Sequence, residues 1–271
     1  NAGGGVYTHA ATTAAAMQTA IRLLAFDPTD NRVDPGATET TTFTVAVNDQ
    51  LAITSNNTTT VVATSINDAP VIGAAVAGQA VNDNATLSPF AALTVTDADT
   101  GENDITASVT LDAAAKGVFT AASLTASGFV NAGGGVYTHA ATTAAAMQAA
   151  IRQLVFDPAD SRVLPTLTET TTFTVAVNDQ LAITSNNTTT VVSTSVNDSP
   201  TANADAFTVS NLSAAFQMDL VGGTGGATAD LDADLPNETL AIVSITDTTL
   251  NSGNPVTLVL NTPVTLDTGA T

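Results

Sequence analysis

The chain has 271 residues, 25 of them acidic and 5 basic, for a formal charge of −20. That balance argues against nucleic acid, whose binding needs Lys and Arg on phosphates, and against adsorption to an anionic membrane surface. The absence of cysteine excludes disulfides, thiolate metal sites and Cys nucleophiles, and there is no run of about 18 apolar residues that could span a membrane.

Residues 1–68 recur as residues 131–198, and only ten of the 68 positions differ (19, 23, 25, 29, 31, 34, 36, 37, 63 and 66). A repeat this long is a copied domain rather than a short solenoid unit. Its phase predicts three parts: 1–68, the C-terminal part of a repeat; 69–198, a complete repeat; and 199–271, the N-terminal part of a diverged repeat. We therefore expect a segment of a longer array.

In chain order, residues 40–47 (TTTFTVAV) alternate Thr with apolar residues, as a half-buried strand does. Residues 58–66 form a second such run, and the NDQLAITSNN loop between the two makes them an antiparallel pair. Asn67-Asp68-Ala69-Pro70 closes the first copy with a proline that stiffens the joint. Strands are predicted over 71–77, 91–96 and 105–111, with the acidic loop Asp97-Ala98-Asp99, Glu102 and Asn103 before the last. Residues 127–130 and 136–139 form a hairpin around Asn131-Ala132-Gly133-Gly134-Gly135, whose glycines supply positive φ.

A helix capped by Thr142 or Thr143 runs over 144–154. Its apolar stripe is Met147, Ile151, Leu154 and Val155. A short strand at 155–156 precedes Asp157-Pro158. The copied pair follows at 170–177 and 188–196, and Asn197-Asp198-Ser199-Pro200 ends the copy. Beyond it, Asp232-Ala233-Asp234, Asn237, Glu238 and a strand over 240–245 parallel the loop at 97–103 and the strand after it. The fold class is all-β: tandem antiparallel β-sandwiches of roughly seven strands each, with one short helix per repeat.

Aspartate outnumbers glutamate 21 to 4. Its short side chain suits turns, where it bonds its own backbone, and cation ligation. The NDxP linker, the DxD loop after the second strand and the helix-then-FDP segment resemble bacterial cadherin-like and immunoglobulin-like repeats (VCBS-type and related). Such repeats build large secreted adhesins and surface filaments, and the likeness covers the whole chain. It implies an extended rod on the bacterial cell surface whose joints bind calcium. The chain departs from animal cadherins in lacking their more acidic linker and helix-borne Glu motif.

Alternating strand directions put the DxD loop, the linker and Asn178-Asp179 at one end of a sandwich. The loop with Asp157, Asp160 and Glu169 falls at the other. Stacked units then gather oxygen ligands at each joint, and calcium takes about 6–8 of them. Joint one would use Asp27, Asp30, Glu39, Asn67, Asp68, Asp97 and Asp99. Joint two would use Asp157, Asp160, Glu169, Asn197, Asp198, Asp232 and Asp234. The alternative is that these carboxylates only cap turns and keep the surface solvated.

Other motifs point to less. His9 and His139 have no adjacent metal or acid–base partner and read as exposed hairpin residues. Gly222-Gly223-Thr224-Gly225-Gly226 lacks the lysine and helix of a phosphate loop. The absence of Trp leaves little platform for a sugar cleft. The expectation is a non-enzymatic extracellular structural segment of an adhesin or filament, whose partners are its neighbouring repeats. A self-assembling sheath, S-layer or fibre subunit, completed by strand exchange between copies, is the alternative. A carbohydrate- or protein-binding module is a further one.

Overall fold

The computed structural model describes residues 3–101, 103–206, 230–234, 245–246 and 255–256. The chain is mostly β. The first copy contributes α1 (Ala14–Arg22), β1 (Thr38–Asn48) and β2 (Ile53–Thr64). Then come β3 (Val71–Gly73), β4 (Gln79–Asn82), β5 (Thr94–Thr96), β6 (Ile105–Leu111) and β7 (Gly117–Phe119). Next are α2 (Ala121–Ser127), β8 (Val130–Gly133), β9 (Val136–Thr142), α3 (Ala144–Arg152) and β10 (Phe156–Pro158). β11 (Thr168–Asn178), β12 (Ile183–Asn186) and β13 (Thr190–Thr194) repeat the first copy's hairpin.

The main sheet runs β4-β13-β11-β6-β9-β8, with β12 also on β11. β11 is its hub. Its first half pairs with β13 and its second half with β12, while β6 lies along the opposite edge from Phe173 to Asn178. The alternation read from the sequence holds: Phe173, Val175 and Val177 are at most 1 % exposed. β6 alternates in the same way, burying Ile105, Ala107, Val109 and Leu111 against them. α3 packs on β5, β6 and β9. The Thr143 hydroxyl caps it by accepting the Ala146 N–H, and Met147 and Ile151 face inward. Among the described residues, every buried hydrophobic side chain lies between residues 69 and 198.

Several expectations need correction. The unit has a second helix, α2, capped by Thr120 and ended by Gly128 at φ 80°. The AASLTAS segment has only seven residues and no charged face, so it shows no helical period. Because Gly128 is the left-handed cap, the strand expected from 127 starts only at Val130. The strand expected over 71–77 stops at Gly73, where Ala74 turns to φ 52°, and the chain crosses from the small β3–β5 sheet into the main one. There β4, absent from the sequence reading, pairs with β13 in parallel, so the unit is not purely antiparallel. The strand expected over 91–96 is short, because Leu93 N–H turns back to the Phe90 carbonyl. The loop between the copied strands is tighter than expected: β12 already starts at Ile183. The strand expected over 240–245 and the residues Glu102, Gly222–Gly226, Asn237 and Glu238 lie outside the described residues, apart from Ile245.

The first copy keeps the helix and the paired strands of the second, but not β9 or β10, and it lacks their burial. α1 is capped by Thr13 as α3 is by Thr143, yet it buries no residue. Leu24 is 69 % exposed where Leu154 is 0 %.

Candidate cation site at the joints

Register brings the linker and the DxD loop together. β3 pairs with β5 so that Val71 faces Thr96, which sets residues 67–70 beside residues 97–99. The Asp68 N–H donates to Asp99 Oδ2 at 2.8 Å, and the Asp99 N–H donates to Asp97 Oδ1 at 3.0 Å. Asn67 Nδ2 donates to Asp179 Oδ2 at 3.0 Å, bringing in the β11–β12 turn. From the first copy, Asn31 Nδ2 donates to Asp68 Oδ2 at 3.0 Å and the Asn31 carbonyl accepts the Thr100 hydroxyl. Asp34 fills the space a side chain on Gly101 would need, and Gly101 sits at φ +84°.

These bonds leave oxygen atoms over. Asn67 Oδ1, Asp97 Oδ2 and Asp99 Oδ1 are buried and have no hydrogen-bond partner. A buried acceptor without a donor is costly, and a carboxylate more so. Burial pushes the Asp97 carboxyl above its usual value, and the charges of Asp99, Asp179 and Asp68 push it further, against one N–H bond from Asp99. Asp179 is also desolvated, but the N–H groups of Ala182 and Leu181 and the Asn67 amide outweigh that and hold it low.

Joint two repeats this wiring with a different third sequence. Thr201 and Leu231 exchange a pair of backbone bonds, and they stand where Val71 and Thr96 face each other at joint one. The Asp198 N–H donates to Asp234 Oδ2 at 2.8 Å, and the Asp234 N–H to Asp232 Oδ1 at 2.9 Å. Asp234 is 0 % exposed, and its Oδ1 has no partner. Ser161 replaces Asn31 and its hydroxyl reaches Asp198 Oδ2 at 3.4 Å. Asn197 Nδ2 bonds the Asp198 carbonyl at 2.7 Å, as Asn67 bonds that of Asp68 at 3.1 Å.

The remaining expected ligands fall around these centres. Asp27, Asp30 and Glu39 line a cleft of about 440 Å³ together with Asp68. Asp157 lies within β10, opposite Val118, and lines a cleft of about 530 Å³ with Asp160. Burial raises the Asp160 carboxyl, followed by the charges of Asp83 and Asp198. Glu39 and Glu169 are each held by an arginine, at 2.9 Å from Arg32 and 2.7 Å from Arg162, so their charge is already balanced.

Two acidic residues were missing from the expected ligand sets. Asp179 is 1 % exposed beside the linker at joint one. Asp83 is 5 % exposed and accepts the N–H groups of Val196 and Ser161 at joint two. Both follow an asparagine, as Asp68 and Asp198 do, so the Asn-Asp dipeptide was the available signal.

Among the described residues, no three His, Cys, Asp or Glu side chains stand arranged to hold a metal. What the joints offer is carboxylate and amide oxygen in excess of the hydrogen-bond donors around it, and that donor set suits a hard divalent cation. The chain matches no family model and no curated protein.

Proposed function

We propose that this chain is a non-enzymatic stretch of an extracellular bacterial adhesin or filament. In this reading each repeat is a β-sandwich, and calcium at the joints stiffens the string into a rod. The observation that carries it is the shared wiring: at both joints the second Asp of DxD ties down the linker N–H and keeps its other oxygen buried and unpartnered. Turn capping alone accounts for the oxygen that accepts the amide. It leaves the other oxygen unexplained.

The ligands at joint one would be Asn67, Asp97 and Asp99, supplemented by Asp68 and by Asp27 or Asp30 across the cleft. At joint two they would be Asp232, Asp234 and Asp198 with Asp160. Calcium, when bound, supplies positive charge that offsets the repulsion among these carboxylates. The protein's part is to hold the linker against the DxD loop, so that closing the joint fixes one repeat's direction relative to the next. Near-identical copies fit a role in which length matters more than a unique surface.

Calorimetric titration of calcium into the 271-residue chain tests this. Asp99→Asn should remove binding at one joint and Asp234→Asn at the other, each leaving the second intact. Unchanged calcium binding in both variants would refute the assignment.

A further inference from the structure

The two copies diverge where they meet the joints. Five of the ten differing positions fall between residues 29 and 37, in the loop that leads into β1. Around them Asp27, Asp30, Arg32 and Glu39 recur unchanged as Asp157, Asp160, Arg162 and Glu169. Position 31 is asparagine in the first copy, where the second has Ser161, and Asp34 is replaced by Leu164. The backbone does not account for the first change, because Asn31 and Ser161 hold nearly the same left-handed turn, at φ 56° and 53°.

Both side chains that change reach across joint one. Asn31 Nδ2 donates to Asp68 Oδ2 at 3.0 Å, and the Asp34 carboxylate lies against Gly101, two residues beyond Asp99. Neither contact needs an ion. At joint two the Ser161 hydroxyl reaches the matching oxygen, Asp198 Oδ2, at 3.4 Å, the long end of the hydrogen-bond range. Leu164 is exposed and brings neither charge nor a hydrogen-bonding group.

We infer that Asn31 and Asp34 are affinity-setting residues, which make joint one close at a lower calcium concentration than joint two; this rests on the cation reading of the joints. A ligand that binds only the closed state has an apparent affinity scaled by the fraction of molecules already closed. Contacts that close joint one without an ion therefore tighten its hold on the ion. Asp34 also adds a negative charge beside the DxD loop, which acts in the same direction. The Asn31 amide engages one oxygen of Asp68, and a carboxylate has a second to offer. The two joints of one chain thus respond in sequence as calcium rises, although the DxD wiring is common to both.

Calorimetric titration of calcium into the 271-residue chain should resolve two affinities, the tighter lost in Asp99→Asn and the weaker in Asp234→Asn. Asn31→Ser combined with Asp34→Leu should weaken the tighter one by about tenfold. The second copy already carries serine and leucine at these positions, so the chain tolerates both. Asn31→Ser alone changes no charge, and a loss of about threefold there reports the contact rather than the field around the ion. Tighter binding in Asn31→Ser would show that the amide competes with the ion for Asp68, and would overturn the inference. Equal affinities at the two joints, a tighter affinity that survives Asp99→Asn, or no change in the double variant would overturn it too, while leaving calcium at the joints intact. A chain that takes up no calcium would refute the cation reading itself, and this inference with it.

Discussion

Asp99 reaches back 31 residues to accept the backbone N–H of Asp68 at 2.8 Å. One bond thus fastens the linker to the loop that follows the next unit's paired strands. Asp234 does the same for Asp198 across 36 residues. Because a single oxygen does the fastening, charge and hydrogen bonding can be separated by substitution. Asp99→Asn keeps an acceptor for the linker amide and loses the charge. Asp99→Ala loses both and should destabilise the joint by about 1–3 kcal/mol. Amide hydrogen exchange at Asp68 should therefore speed up in Asp99→Ala and stay near native in Asp99→Asn. Equal acceleration in both would show that charge, not the bond, holds the linker.

The raised carboxyls of Asp97 and Asp160 set the pH response in chelator. Each binds its proton more tightly folded than unfolded. Their contribution is therefore fully present below the ordinary carboxylate value and is lost as pH rises through the raised one. The calcium-free joints should grow less stable as pH rises out of the ordinary carboxylate range. Asp179 has the opposite sign: held low, it contributes above the ordinary value and loses that contribution as pH falls through its own. Calcium bound as proposed would need the ionised form, so the stabilisation it gives should shrink on acidification. Thermal melts across this range, with chelator and with calcium, should converge toward the acid end. Parallel curves would contradict the coupling.

The two copies offer a matched test of burial. Leu154→Ala removes a side chain that is 0 % exposed and should cost about 2–5 kcal/mol. Leu24→Ala removes its twin at 69 % exposure and should change stability by no more than about 0.5 kcal/mol. Chemical denaturation of both variants checks this, and similar losses would mean the first copy is covered in solution.

Gly117 opens β7 at φ 150°, where an added Cβ would collide with the Asp157 carbonyl oxygen and meet the Phe156 ring at 2.7 Å. The backbone and a buried ring cannot both retreat, so Gly117→Ala should destabilise the central unit by about 1–3 kcal/mol. A native melting temperature would show that β7 shifts freely.

The long strands and α3 were legible because their apolar residues keep a clean period: Phe173, Val175 and Val177 at two, Met147 and Ile151 at four. α2 and β4 were not, because seven or fewer residues with little charge carry no period. The sheet switch near Ala74 was hidden for another reason, since a non-glycine at positive φ has no sequence mark. At the joints, Asp99 and Asp234 were visible through the DxD spacing and the linker beside it. The arginine pairing of Glu39 and Glu169 was not anticipated, although Arg32 and Arg162 each precede their glutamate by seven residues. Asp83 entered joint two through the parallel pairing of β4 with β13, which the sequence reading lacked.

The most direct measurement of the central claim is small-angle scattering of the 271-residue chain with calcium and with chelator. The account predicts a longer, stiffer particle with calcium, and loss of that change when Asp99→Asn and Asp234→Asn are combined. Identical profiles in calcium and chelator would contradict it, and would leave the joint carboxylates as turn caps and solvated surface.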